Sequence, residues 1–124
     1  MIKIFSFTLA LVILVAGLVF AHPPKDMQLK YDETSQTLHI EMVHVTSDMF
    51  RNYVYRIVVL KNEEQVINQF FTKQKNPHDA IEDFSLQAVV GDVIRVKAFC
   101  KEGGEAEETL TILKPENTES PKDK

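Results

Sequence analysis

The chain has a single cysteine, no tryptophan and only four glycines in 124 residues. One cysteine, Cys100, excludes an internal disulfide framework and any zinc site built on several thiolates. The glycines form none of the patterns that cradle phosphate: there is no GxxxxGK and no GxGxxG. No serine sits in a GxSxG elbow either. Nucleotide-dependent chemistry and α/β-hydrolase chemistry are therefore set aside. Positive charge is also short, with Lys+Arg at 14 against Asp+Glu at 18. An acidic domain of this size makes a poor polyanion binder, so no nucleic-acid partner is expected. Asp, Glu and Asn are too scattered for a calcium loop.

Long apolar runs are missing except at the start. Lys3 is the one charge before Ile4–Phe20, a run without any charged residue. Val19-Phe20-Ala21 places small or medium side chains at the −3 and −1 positions of a cleavage site, so residues 1–21 read as a secretory signal peptide. As an anchor the run would be near the lower limit for spanning a bilayer, and Pro23-Pro24 stops a helix at once. Export to a periplasm or the extracellular space is expected, with no membrane contact after cleavage. The cut removes one lysine and no carboxylate, so the rest is one unit more negative than the −4 of the whole chain. It also makes His22 the N-terminus. A terminal histidine joins an α-amine and an imidazole in one chelate, a pairing that suits copper or another borderline metal. Taken alone, His22 also reads as an ordinary polar residue after a leader.

The remaining chain is written in period two. Leu38, Ile40, Met42 and His44 share one face of a strand, with Thr37, His39 and Glu41 on the other. Tyr53–Leu60 is an apolar, β-branched and aromatic run broken by Arg56, which suits a central strand. Gln65–Thr72 follows across the polar loop Lys61–Glu64. Ile81–Ala88, Val93–Cys100 and Glu108–Leu113 are further strands, and Met27–Tyr31 is the first. Ile94, Val96, Ala98 and Cys100 alternate with Arg95 and Lys97. Some seven short strands with turns between them predict an all-β fold: an immunoglobulin-like antiparallel β-sandwich over residues 22–113. Leu38, Ile40, Met42, Tyr55, Ile57, Val59, Ile94, Val96 and Ala98 are its expected core. Residues 114–124, without an apolar side chain and with two prolines, are expected to form a disordered polar tail.

His44 and Cys100 each end a strand on the core-facing side, at the rim where a ligand constellation can form. Taken singly, each also reads as an ordinary buried residue. His39 points to the opposite face and His78 follows Pro77 in a polar loop, so both are expected in solvent.

Three segments in chain order resemble the superoxide reductase (desulfoferrodoxin) iron domain. They are His22-Pro23-Pro24, then His44-Val45-Thr46-Ser47-Asp48 with Asn52-Tyr53-Val54-Tyr55-Arg56-Ile57, and last Ala98-Phe99-Cys100-Lys101-Glu102-Gly103-Gly104. The resemblance implies an immunoglobulin-like sandwich carrying iron on four equatorial histidines and an axial cysteinate. By position His22, His44 and Cys100 match ligands. Asn52 and Gly103 stand where two further histidines belong, so the full square-pyramidal centre cannot form. Lys25 is a candidate for the family's assisting lysine only by its nearness to His22. Two readings stay open. One is an exported superoxide-reductase-like domain with a remodelled site at His22, His44 and Cys100. That site would hold a copper or iron ion and meet a small-molecule oxidant or a protein partner. The other is a non-catalytic extracellular binding or structural module that has lost the metal.

Overall fold

A computed structural model describes residues 23–114, which form seven strands and, among the described residues, no helix. The expected leader and cleavage site, His22, and residues 115–124 of the expected tail lie outside the described residues. The strands are β1 (Lys25–Asp32), β2 (Thr37–Val43), β3 (Val54–Lys61), β4 (Glu64–Phe70), β5 (Asp79–Ser85), β6 (Val93–Cys100) and β7 (Glu105–Thr111). They make two antiparallel sheets, ordered β1-β2-β5 and β4-β3-β6-β7, which face each other as a sandwich. Alternation along each strand drives this pairing, because one face must be removed from water. Leu38, Ile40 and Met42 of β2 meet Ile57 and Val59 of β3 and Ile94 and Val96 of β6, all with no exposed surface. Each such side chain contributes about 1.5–3 kcal/mol by leaving water.

The β3–β4 hairpin turns on Asn62 and Glu63, both at positive φ (52° and 68°). Two such residues make a type I′ turn, whose twist matches that of the flanking strands. The loop is thus shorter than the expected Lys61–Glu64, whose end residues pair with each other instead. β7 starts earlier than expected, at Glu105, and β5 ends earlier, at Ser85.

One expected core residue lies elsewhere. Tyr55 is half-buried on the outer side of its sheet, near the rings of Phe70 and Phe99. The β3–β6 register shifts between Val54 and Arg56. A bulge inserts one residue and breaks strict alternation, so Val54, not Tyr55, faces the core. The same bulge leaves Val54 paired with Cys100 at the end of β6.

Candidate metal centre

The end of the sandwich that holds the carboxyl termini of β2 and β6 gathers the chemistry. His44 follows β2 directly. Its backbone N–H donates to the His78 carbonyl (3.0 Å), and that of Thr46 to the Pro77 carbonyl (2.8 Å). These bonds extend the β2–β5 pairing past its last regular residues and hold His44 on the core-facing side, 3% exposed. Cys100, also 3% exposed, ends β6 on the same side. The two side chains meet: His44 Nε2 lies 3.0 Å from Cys100 Sγ. Asn52 Oδ1 lies 3.1 Å from the same sulfur.

Gln74 sets the state of the imidazole. Its Nε2 donates to the carbonyls of His44 (2.7 Å) and Asn76 (2.9 Å). Both amide hydrogens are then used, and Oε1 can only accept. His44 Nδ1, 2.8 Å from that oxygen, must therefore carry the donated proton. In the neutral ring the lone pair is left on Nε2, aimed at Cys100. The thiol hydrogen lies between two acceptors, His44 Nε2 and Asn52 Oδ1. Burial pushes the Cys100 thiol above its ordinary value, so it holds its proton at neutral pH.

This is the arrangement that metal-binding histidines use: one ring nitrogen donates to an oxygen and the other is free to ligate. To admit an ion at about 2.0–2.3 Å from each donor, the pair must open by roughly half an ångström and release the thiol proton. A four-histidine set does not fit the described residues, because His39 lies on the outer face of β2 and His78 is exposed. Among the described residues no group of three His, Cys, Asp or Glu side chains converges. The described residues thus bring together two candidate donors, so an ion held here would need a third from solvent or from outside residues 23–114.

Pro23, the first described residue, lies at this same rim. Pro23, though exposed, packs against the turn after Cys100, so close that a Cβ added at Gly104 would lie 2.8 Å from Pro23 Cβ. The same turn is tied back by the Cys100 N–H to the Gly104 carbonyl and the Gly103 N–H to the Cys100 carbonyl, both 3.0 Å. Pro23, Lys25, Val43, His44 and Val45 line an open cavity of about 300 Å³. His39 is away from it, on the outer face of β2. It is half-buried rather than free in solvent, with Nδ1 on Asp83 Oδ1 at 2.5 Å. His78 is exposed, as expected. Sequence reasoning missed Gln74. It lies in an irregular polar segment, where no periodicity marks a buried side chain.

No family model matches the chain, and no curated protein does. Among solved structures the chain is similar to a superoxide reductase (neelaredoxin) from Ignicoccus hospitalis. The identity is 14% and the TM-score 0.45, over 74% of this chain and 79% of that one. That is a distant likeness in the arrangement of strands. What the site can do follows from its own atoms.

Proposed function

We propose that this chain is an exported metal-binding β-sandwich domain whose site holds one ion on His44, Cys100 and the amine and imidazole of His22. His22 becomes the N-terminus by cleavage after Ala21. Imidazole with thiolate, few in number, suits Cu(I) better than iron. Iron is the second candidate, by the superoxide reductase resemblance. An ion of either metal could exchange one electron with a small-molecule oxidant or a protein partner. The observation that carries the reading is the Gln74-held tautomer, which turns the free Nε2 lone pair onto Cys100 Sγ at 3.0 Å.

The test is metal analysis of protein expressed from the full-length coding sequence and purified as the cell exports it, under reducing conditions. Mass spectrometry should show a chain starting at His22, and about one copper or iron ion per chain is expected. His44→Ala and Cys100→Ser should each lower affinity by at least the ~10–100-fold seen for residues behind the ligands. His39→Ala and His78→Ala should not. A tag ahead of His22 removes the amine and should weaken binding by itself. Equal occupancy in all four variants, or none in the exported wild type, would refute the site. That result would leave the second reading, a binding or structural module. One feature favours it: the His44, Gln74, Cys100 and Asn52 side chains already satisfy one another.

A further inference from the structure

Two sheets of open strands leave four edges, and proteins usually blunt such edges with charge, proline or a cover. Three of these four are blunted. β5 carries Asp79, Glu82 and Asp83, and β7 carries Glu105, Glu107 and Glu108. β1 carries Lys25, Asp26, Lys30 and Asp32 and packs close to β7. β4 differs. From Gln65 to Thr72 it has no charge and no proline, and among the described residues no strand pairs with its outer side. Six of its seven residues are exposed, including Val66 (42%) and Phe70 (57%).

The direction of its free hydrogen-bonding groups can be worked out. The Phe71 N–H donates to the Tyr55 carbonyl of the β3 segment at 2.8 Å. Antiparallel pairing alternates, so Gln69 and Ile67 also address β3, while the N–H and C=O of Asn68 and Phe70 point away from the sheet. A side chain marks one of these outward groups: Gln69 Nε2 donates to the Phe70 carbonyl at 3.1 Å. The irregularity at Val66, where Val59 pairs with Ile67 and Leu60 with Gln65, spares the stretch from Ile67 onward.

We infer that β4 is a dimer interface, pairing antiparallel with β4 of a second copy about a twofold axis through Gln69. Asn68 then faces Phe70 of the second copy, and the two residues exchange both backbone bonds, four in all by symmetry. Ile67 and Phe71, partly buried against the core in one copy, meet each other's counterparts on the core-facing side. The outward acceptor now held by the Gln69 amide goes to a backbone N–H instead. Charge selects the occupant. From Gln65 to Thr72 a second copy opposes no charged residue of the strand itself, and the Arg56 guanidinium beside it is held on Asn68 Oδ1 and over the Phe70 ring, whereas self-pairing at β5 or β7 would oppose carboxylates. The inference is independent of the metal site.

Sedimentation velocity of the exported protein, from about 1 to about 300 micromolar, reads the association directly. A closed monomer–dimer equilibrium is expected. Gln69→Lys and Gln69→Glu each oppose like charges across the axis and should weaken the dimer several-fold, while an equimolar mixture of the two restores it. Ile81→Lys on the β5 edge should change nothing. In the wild type, amide exchange at Asn68 and Phe70 should slow as concentration rises. A monomer throughout the range would overturn the inference. So would open-ended growth, a mixture no tighter than either variant alone, or exchange at these two amides that ignores concentration.

Discussion

Replacing Gln74 by leucine keeps the side chain's approximate bulk and removes three hydrogen bonds from one buried place. The His44 Nδ1–H and the His44 carbonyl lose their partners at a buried place, and the Asn76 carbonyl loses one nearer the surface. Each buried orphan costs about 1–3 kcal/mol, and the Asn76 group can turn to solvent at little cost, so the total is about 3 kcal/mol. A small domain holds about 5–15 kcal/mol, so the variant should still fold. With a urea m value of about 1–1.5 kcal/mol/M, the midpoint should fall by about 2–3 M. The second readout is the ring itself. Nitrogen-detected NMR of the wild type should show a pyridine-type nitrogen at Nε2 of His44 and a protonated Nδ1. In the leucine variant the Nδ1 preference should disappear, and metal affinity should drop by about 10–100-fold although no ligand has been touched. A midpoint unchanged within about 0.5 M, or a wild-type proton on Nε2, would refute the argument that Gln74 sets the tautomer.

Other consequences are as direct. Val96 has no exposed surface, so Val96→Asp buries a carboxylate without a partner; the cost of several kcal/mol should abolish cooperative unfolding in a thermal melt. Gly104 sits at φ +89° with Pro23 against it; Gly104→Ala should cost about 1–3 kcal/mol by denaturant titration and also weaken metal binding, because it displaces the segment that leads to His22. Burial raises the Cys100 thiol above its ordinary value near 9.0. The folded state therefore holds this proton more tightly than the unfolded one. The resulting stability is fully present below about pH 9 and is lost as pH rises through the folded value, as urea midpoints across that range should show. Metal binding runs the other way, since it releases the same proton: apparent affinity should rise by about tenfold per pH unit below that value, and more steeply below about pH 8, where the His22 amine must also give up a proton.

Period-two alternation was enough to place the sheets. β6 was readable to the residue, because Ile94, Val96, Ala98 and Cys100 alternate with Arg95, Lys97 and Phe99 without a break. The same parity put His44 and Cys100 on the core side, since a side chain's face is a local property once a strand is given. Tyr55 escaped this logic. A bulge is decided by how two strands register, and nothing in Tyr53–Leu60 alone announces the slip. What no local pattern could supply was contact across the fold. His44 and Cys100 are 56 residues apart, and Gln74 is 30 from His44. They meet because β2 and β6 lie in opposite sheets and end at one rim, with the Gln74 segment crossing it on the way to β5. The donor pattern at Gln74 then decides which imidazole nitrogen is free. Composition and alternation thus determined the class of fold and which residues face inward. Only the packing of the two sheets decided which inward residues touch, because a hydrogen bond depends on separations of tenths of an ångström between groups that the chain itself keeps far apart.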